Sequence, residues 1–258
     1  MPRAEHPDRE ADLVTSGVTR DRWTAAQAAE LSYWQSLDLR EILRICAEKP
    51  EFLSLLDDTV QRDLFAGKDV LEIGCGPLAL SLVSFSRHKA TVRRLVKAEP
   101  LPRLPLRETR LVDDAWAAPF LDWVETLAGE GEYVQTPGED LGFDSCFDTV
   151  VTYNVLDHVR EPMTILRKAA RALRPGGRLL VGVDCLSVVG RWRFEMLTRR
   201  LHKGTILVEA HPHTFLPETV RRMIEAAGFR LTDMFGIPGA LRLWLGSHSR
   251  PAFLAIRG

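Results

Sequence analysis

The stretch VLEIGCGPLAL, residues 70–80, constrains the fold more than any other part of the chain. Its apolar residues Val70, Leu71 and Ile73 lead into two glycines, and the apolar pattern then resumes. A short apolar run that ends in glycine is typical of a buried strand followed by a turn where the backbone closely approaches another group. After Gly67 similar runs alternate with helical stretches, which predicts βαβ units and a mostly parallel sheet.

Seven strands and four helices are predicted after Gly67. We expect the strands at residues 69–73, 92–98, 132–135, 148–153, 178–183, 229–235 and 252–257. We expect the helices near residues 77–87, 112–128, 161–173 and 216–227. The last two strands have no helical stretch between them, so a loop or hairpin arm is expected to connect them. The fold class is therefore α/β.

The segment before Gly67 is rich in helix-forming residues and has no strand pattern. Residues 1–19 are polar and predict a flexible N-terminal arm, whereas residues 20–66 predict helices. We expect a long helix that begins at Asp21 and a second helix that begins at Pro50. On the first helix, aromatic and amide side chains share one face, which either packs on the sheet or covers a ligand. These side chains are Trp23, Gln27 and Trp34, with Tyr33 at the margin.

Composition excludes several classes of protein. The chain has 258 residues and a formal net charge of −1, which gives no general reason to expect a nucleic acid or an anionic membrane as partner. Its four cysteines form no CxxC pair, so we expect reduced thiols. The charged N-terminus lacks the apolar core of a secretion signal, and we expect a cytoplasmic protein. The oligomeric state has no signature in the sequence.

Two acidic residues near the glycines narrow the class of ligand that we expect at this loop. Gly74-x-Gly76-x-x-Ala79 fits a dinucleotide fingerprint, and the predicted helix after it would point its N-terminus at the same place. Glu99 ends the second strand, where a carboxylate accepts hydrogen bonds from a ribose diol. Glu72 adds negative charge beside the loop, which disfavours a pyrophosphate and suits a cationic ligand. The pattern therefore predicts a site for a nucleoside.

Six motifs follow one another in a familiar order. They are Glu72-x-Gly74-x-Gly76, Glu99-Pro100-Leu101, Gly138-Glu139-Asp140-Leu141, Asn154-Val155-Leu156-Asp157-His158-Val159, Leu173-Arg174-Pro175-Gly176-Gly177 and Ala227-Gly228-Phe229. In this order they resemble the class I S-adenosyl-L-methionine-dependent methyltransferases over roughly residues 68–258. Ala79 stands where the fuller family pattern has a third glycine, a mild departure because alanine is also small.

The resemblance implies a Rossmann-like, seven-stranded, mostly parallel sheet flanked by helices in residues 67–258. It also implies that residues 20–66 form an N-terminal helical lid and that an insertion near 184–214 covers the substrate. The implied cofactor is S-adenosyl-L-methionine. Its implied binding residues are Glu72, Gly74, Gly76, Glu99, Pro100, Glu139, Asp140, Asn154 and His158, with Tyr33 and Trp34 from the lid. Which of the two adjacent acids, Glu139 or Asp140, contacts adenine stays open.

Three histidines are candidates for a catalytic base, because an imidazole titrates near neutral pH. The alternative that stays open is methyl transfer by alignment alone, without a base, as the resemblance implies for many members of the family. His158 follows the fourth strand and also suits packing over the cofactor. His211 and His213 precede the last large helix and should face the acceptor. This His-x-His pair has no third ligand at a recognisable spacing. The metal-dependent members of the family carry acidic ligands after the fourth and fifth strands, a pattern this chain lacks, so no metal site is predicted.

The expected activity is methyl transfer to an oxygen or nitrogen of a small-molecule acceptor, such as a natural product. Three alternatives remain open: a cofactor-binding protein of this fold without methyl transfer, an NAD-dependent oxidoreductase, and an enzyme that uses the bound sulfonium for a reaction other than methyl transfer. Within the insertion, residues 190–203 predict an amphipathic helix whose apolar residues are Phe194, Leu197 and Leu201. Its basic side chains suit an anionic acceptor or an ordinary solvated surface.

Overall fold

A computed structural model of the chain describes residues 18–106, 117–201, 208, 210–237 and 248–258. Residues 1–17 of the predicted arm therefore lie outside the described residues. The core is a seven-stranded sheet. Its strands are β1 (Asp69–Ile73), β2 (Arg94–Glu99), β3 (Glu132–Gln135), β4 (Phe147–Tyr153), β5 (Leu173–Gly182), β7 (Phe229–Phe235) and β9 (Ala252–Arg257). Two short strands, β6 (Cys185–Leu186) and β8 (His248–Ser249), pair separately.

Helices cover both faces of this sheet. They are α1 (Arg20–Gln35), α2 (Leu39–Leu53), α3 (Asp58–Phe65), α4 (Ala118–Gly129), α5 (Pro162–Ala172), α6 (Val188–Arg193) and α7 (Pro217–Ala226). Every residue of β1 is buried, as expected for a strand covered on two faces. No helix within the described ranges combines the length and apolar character that crossing a bilayer demands.

The strand order is β3-β2-β1-β4-β5-β9-β7, in which β1 to β5 run parallel and β9 is antiparallel to both of its neighbours. The order reverses between β1 and β4, which is where such sheets bind ligands. Ile73 of β1 pairs with Ala98 of β2 and with Thr152 of β4. This register brings the glycine loop, Glu99 and Asn154 to one edge. The predicted seven-stranded, mostly parallel sheet is confirmed.

The N-terminal helices differ in their boundaries from the prediction. The predicted long helix is broken after Gln35, because Asp38 caps a new helix by accepting a hydrogen bond from the Glu41 N–H at 2.9 Å. Pro50 lies inside α2 instead of starting a helix. The next helix starts after Asp57, whose side chain accepts from the Val60 N–H at 2.9 Å. The sequence therefore predicted helices here but missed two capping aspartates.

The helix predicted at 77–87 is wrong. The chain forms a turn at residues 76–79 and a single 3₁₀ turn at Val83–Phe85. Ala79 has φ +55°, a left-handed conformation that no α-helix passes through. The buried Lys97 ammonium fixes this turn by donating to the carbonyl oxygens of Ala79 at 3.0 Å and Ala128 at 2.9 Å. The helix dipole expected at the ligand site is therefore missing.

Smaller departures occur in other elements. The described part of the helix predicted at 112–128 begins at Ala118, since residues 107–116 lie outside the described residues. Strand β5 begins at Leu173 instead of 178, and its pairing skips from Leu173 to Arg178. The insertion helix begins earlier than predicted and continues from α6 through a π-helical turn, Phe194–Thr198, to Leu201. Its predicted apolar face is largely exposed, with Leu197 at 48% and Leu201 at 76%.

Candidate active site

A cavity of about 560 Å³ opens at the carboxyl ends of β1, β2 and β4. Helices α1 and α2 close one side of it, and the segment just before α7 closes another. Its volume is typical of a site for a ligand of nucleoside size or larger. Ten of the predicted site residues line it: Tyr33, Trp34, Gly74, Gly76, Glu99, Pro100, Glu139, Asn154, His158 and His211.

The two glycines form a cradle that a larger residue would fill. Gly74 has φ +78°, and a Cβ there would lie 2.3 Å from a methyl group of Val155. Gly76 has φ +77°, and a Cβ there would lie 3.1 Å from the Trp34 ring. Only glycine combines this backbone conformation with so little space. The loop therefore presents bare backbone to the cavity between β1 and helix α1.

Glu72 stands behind the loop and is not among the residues that line the cavity. Its fully buried carboxylate accepts from the Ser81 hydroxyl and from the Leu82 N–H at 2.9 Å. These bonds tie the end of β1 to the turn that follows it. The geometry corresponds to a loop-holding role rather than to direct contact with a cationic ligand.

Glu99 lies at the cavity wall and holds the glycine loop from the side. One carboxylate oxygen accepts from the Gly76 N–H at 3.0 Å, and the other accepts from the Leu101 N–H at 3.2 Å. Burial raises the pKa of Glu99 to about 8, with a further contribution from Glu30, while the two N–H groups act in the opposite direction. Each oxygen has another lone pair, so the carboxylate still has capacity for a ligand's hydroxyl groups.

The two candidate acids after β3, Glu139 and Asp140, have different environments in the structure. Glu139 is buried and lines the cavity, and it accepts from the N–H groups of Arg160 at 3.0 Å and Glu161 at 3.2 Å. Those N–H groups lie at the start of α5. Asp140 is exposed to solvent. Of the pair, Glu139 is therefore the acid positioned to meet a ligand in this cavity.

Several buried polar atoms around the cavity lack hydrogen-bond partners in the described part of the chain. They are Gln27 Oε1, Asn154 Oδ1, Asp157 Oδ1 and both ring nitrogens of His158. Buried polar atoms are nearly always paired, so this group indicates a missing polar ligand. Asn154 also has φ +57°, and its N–H donates to the Gly182 carbonyl at 2.7 Å, which holds the residue at the end of β4.

The N-terminal helices contribute an aromatic and charged wall. Trp34 packs against Gly76, and its indole N–H donates to Glu30 at 3.4 Å. The Tyr33 hydroxyl donates to Glu41 at 3.1 Å and accepts from Arg44 at 3.1 Å. The face predicted on the first helix thus lines the cavity. The helices lie over the glycine loop, where a lid would lie.

Asp157, His158 and His211 form a compact cluster at the cavity wall. Nε2 of His158 and Nε2 of His211 lie 3.6 Å and 3.8 Å from the same oxygen of Asp157, and the two rings have centroids 4.3 Å apart. Burial is the largest single influence on the pKa of His158 and lowers it, but the charges of Asp157, Glu30 and Asp184 together outweigh burial, so the net pKa is raised. The backbone of Ala210 also raises the pKa of His158, although it makes no hydrogen bond of ordinary geometry with the His158 ring.

The third histidine has a different environment. His213 is buried, its Nε2 lies 2.9 Å from the Val159 carbonyl, and its N–H donates to the Asp157 carbonyl at 3.3 Å. Its ring stacks on Phe215. His213 is not among the residues that line the cavity, and these contacts fix the segment that carries His211.

Sequence analysis missed two cations at this site. Lys49 of α2 is buried, lines the cavity and lies 5.1 Å from the centre of the Tyr153 ring. Burial lowers the pKa of Lys49. Arg250 binds Asp184 through two hydrogen bonds of 2.7 and 2.9 Å and the Tyr153 hydroxyl at 2.8 Å. Neither a lysine within an amphipathic helix nor an arginine between two strands belongs to a sequence motif. Only the folded structure shows that these two cations lie at the cavity.

Comparison with known proteins identifies the family. A model described as a methyltransferase domain matches residues 38–233, which is more than half of the chain. A ubiquinone biosynthesis O-methyltransferase of Xanthomonas euvesicatoria pv. vesicatoria is 32% identical over 201 residues, covering 74% of this chain and 75% of that protein. The resemblance noted in the sequence is therefore confirmed.

Solved structures share the fold at low identity. One is the Burkholderia thailandensis 1,6-didemethyltoxoflavin-N1-methyltransferase with bound 1,6-didemethyltoxoflavin and S-adenosylhomocysteine, with a TM-score of 0.53 and 15% identity over 100% of this chain and 92% of that one. Another is the N-methyltransferase NodS of Bradyrhizobium japonicum WM9 with S-adenosylhomocysteine, with a TM-score of 0.53 and 15% identity over 92% and 98%. The chain belongs to the methyltransferase family that uses S-adenosyl-L-methionine as cofactor.

Proposed function

We propose that the enzyme methylates an oxygen of a small-molecule acceptor, with a hydroxyl as the target group. The observation that carries this proposal is the cluster of Asp157, His158 and His211, whose two histidines line the same cavity as the glycine cradle. The relatives named for O-methylation in ubiquinone biosynthesis support oxygen over nitrogen. Solved neighbours of the same fold are N-methyltransferases, so nitrogen is the competing target.

The cavity fits the cofactor by the chemistry of its walls. Gly74 and Gly76 leave room for close approach, Glu99 has free lone pairs for a ribose diol, and Glu139 is the acid nearest an adenine amino group in this proposal. Buried Lys49 offers a cation for a carboxylate group. When bound, S-adenosyl-L-methionine supplies a methyl group made electrophilic by its sulfonium.

The chain's own residues have two tasks in such a reaction. Trp34, Tyr33 and the rest of the α1 face exclude water and hold the acceptor against the cofactor, which lowers the barrier through proximity and orientation. The acceptor hydroxyl must lose a proton, and His158 or His211 takes it, with the nearby Asp157 carboxylate stabilising the imidazolium that forms. His213 positions His211 through its bonds to Val159 and Asp157.

A methylation assay with matched acceptors tests this proposal. Purified enzyme, S-adenosyl-L-methionine and paired phenols and anilines of equal size are incubated, and the products are identified by mass. We expect O-methyl products and, for His211→Ala, turnover reduced by about a hundredfold with unchanged cofactor affinity, in line with loss of a general base. Methylated anilines with untouched phenols would overturn the assignment to oxygen.

The main rival is a protein that binds the cofactor without transferring methyl. Calorimetry and turnover separate the two, because the rival predicts tight cofactor binding and no product with any acceptor. The NAD-dependent alternative is disfavoured by the family match. Residues 184–201 and 210–214 of the insertion contribute Asp184, Ala210 and His211 to the cavity, which supports the proposal that the insertion covers the acceptor.

A further inference from the structure

The cluster of Asp157, His158 and His211 has a geometry that a proton relay does not require. A single carboxylate oxygen of Asp157 lies 3.6 Å from one Nε2 and 3.8 Å from the other. Both separations exceed a hydrogen bond, so the carboxylate holds neither ring directly. The rings converge on the carboxylate instead of stacking, with an angle of 52° between their planes. One ligand atom from each of the three residues lies within 4.8 Å of the other two.

The two most buried residues of the cluster, Asp157 and His158, have polar atoms without hydrogen-bond partners in the described ranges. Asp157 is only 3% exposed, and its second oxygen has no hydrogen-bond partner in the described ranges. Neither ring nitrogen of His158 makes a hydrogen bond with those residues. A buried carboxylate with an unpaired oxygen is unfavourable, because burial removes the water that would solvate its charge. A cation held by the other oxygen of Asp157 would neutralise the charge of this buried carboxylate and would give a ring nitrogen of His158 a partner.

We propose that Asp157, His158 and His211 form a binding site for one divalent transition metal ion. Two imidazole nitrogens and one carboxylate oxygen are a donor set that suits Zn²⁺, Fe²⁺ or Co²⁺, whereas Mg²⁺ and Ca²⁺ prefer oxygen donors throughout. With metal–ligand bonds of about 2.1 Å, the donors of a tetrahedral ion lie about 3.4 Å apart. The two separations of 3.6 and 3.8 Å therefore require only a small contraction.

The site would have open coordination positions toward the cavity. His158 and His211 line that cavity, whereas Asp157 lies behind them. Three protein ligands leave at least one position for water or for an acceptor oxygen. A hydroxyl bound there would lose its proton to solvent water more readily, because the cation stabilises the oxyanion, and that oxygen would take the methyl group as the carbon–sulfur bond of the sulfonium breaks. The metal would thereby take over the part of the histidine base in the proposed reaction. Metal binding itself does not depend on that reaction and is measured separately.

The sequence did not predict this site, because its ligands come from two distant segments. Asp157 and His158 follow β4, whereas His211 precedes α7. The nearby His213 suggested a His-x-His pair, but its Nε2 lies 2.9 Å from the Val159 carbonyl. The fold thus selects one histidine of the pair and supplies the other two ligands from the β4 end.

Titration with Co²⁺ and Zn²⁺ tests the site. Enzyme free of any affinity tag is stripped of metal with a chelator and then titrated with Co²⁺. The visible absorption of bound Co²⁺ reports low-symmetry nitrogen and oxygen coordination. Zn²⁺ is then added as a competitor for the same site. We expect one equivalent to bind. His211→Ala and Asp157→Asn should each weaken binding by more than about tenfold, because a ligand is lost. His88→Ala is the matched control, since His88 pairs with Asp58 near the surface and should bind like wild type.

Each outcome is decisive for the inference. If wild type binds no more metal than His211→Ala, or if His88→Ala loses as much as His211→Ala, the site does not exist. His211 is partly exposed, so this variant is expected to fold even if Asp157→Asn does not. Methyl transfer that persists in chelator without bound metal overturns a catalytic use of the site. Intact metal binding without any methyl transfer overturns the proposed function and leaves this inference standing.

Discussion

Glu99 contacts the glycine loop and lines the cavity in which we propose that the cofactor binds. Its two oxygens accept from the N–H groups of Gly76 and Leu101, and the residue lines the cavity. Because burial raises its pKa to about 8, the carboxyl carries a proton at neutral pH until a ligand favours the charged form. Ligand binding and proton release are therefore linked at this residue.

We predict that nucleoside affinity rises with pH up to about 8 and then levels off. Below this pKa the carboxyl must release a proton to accept two hydroxyl hydrogen bonds, so affinity falls by at most about tenfold per pH unit. Calorimetry with 5′-methylthioadenosine in metal-free buffer measures this, since that ligand has the ribose diol but no titrating amine. Glu99→Gln should bind more weakly and without the slope. A slope that persists in Glu99→Gln would contradict the assignment.

A second residue-level prediction distinguishes the neighbouring acids. Glu139→Gln should weaken 5′-methylthioadenosine binding by about tenfold, because a charge-assisted hydrogen bond to the adenine amino group becomes a neutral one. Asp140→Asn is the matched control and should change affinity less than twofold, since Asp140 faces solvent. Calorimetry on both variants decides. The reverse ranking would assign adenine to Asp140.

Among single residues, motif positions at strand ends were predictable, but their side-chain directions were not. The sequence identified Glu99 because it depends only on where β2 ends. It left Glu139 and Asp140 open, since adjacent residues in a turn point in directions set by packing. Glu72 was expected at the ligand, but the turn at Ser81 and Leu82 takes up its carboxylate.

Among elements, the turn after β1 departs most from expectation. Ala79 has φ +55° where a helix was predicted, and its carbonyl oxygen accepts from buried Lys97. A left-handed alanine costs about 1–2 kcal/mol. Local propensity in LALSLVSF favours a helix, and the long-range bond from β2 overrides it. No local pattern contains that information.

We predict that Ala79→Gly changes the free energy of unfolding by less than about 0.5 kcal/mol. Relief of the left-handed strain offsets the flexibility gained by the unfolded chain and the lost burial of one methyl group. Ala28→Gly, at an exposed position within α1, should instead lose about 1 kcal/mol. Urea denaturation measures both. Equal losses at the two positions would show that Ala79 is unstrained.

At the scale of the whole molecule, an ion network lies at the sheet edge opposite the cavity. Asp69 binds Arg93 at 2.6 Å and Arg174 at 3.0 Å, and Arg174 also binds Asp148 at 2.7 Å. The Arg93 hydrogen bond is the main reason why the pKa of Asp69 falls to about 2. The network joins the starts of β1, β4 and β5.

Asp69→Asn should destabilise the protein near neutral pH by about 1 kcal/mol, since this network is partly open to water. The pKa of folded Asp69 lies below its ordinary value of 3.8, so the stabilisation is fully present above pH 3.8 and fades as the pH falls toward about 2. Urea denaturation from pH 7 to pH 3 should show the variant and wild type converging. Asp144→Asn, which breaks an exposed ion pair with Arg171, is the control and should have little effect at any pH. A constant difference between Asp69→Asn and wild type would contradict a charge-based role.

The sheet was predictable from sequence because strand burial depends on apolar runs such as Val70–Ile73. The cavity walls were only partly predictable. Trp34 was expected on a shared helix face, but its contact with Gly76 depends on how α1 docks. Lys49 and Arg250 come from distant segments of the chain and both lie near the Tyr153 ring. Tertiary packing alone determines such contacts.

The central claim is that S-adenosyl-L-methionine binds between the glycine loop and helix α1 with its sulfur facing Asp157, His158 and His211. A crystal structure of the enzyme with S-adenosylhomocysteine tests this most directly. We predict the ribose diol on Glu99, the adenine beside Glu139, and the sulfur directed at the histidine cluster. A nucleoside bound away from Glu99, or a sulfur turned away from the cluster, would contradict the account.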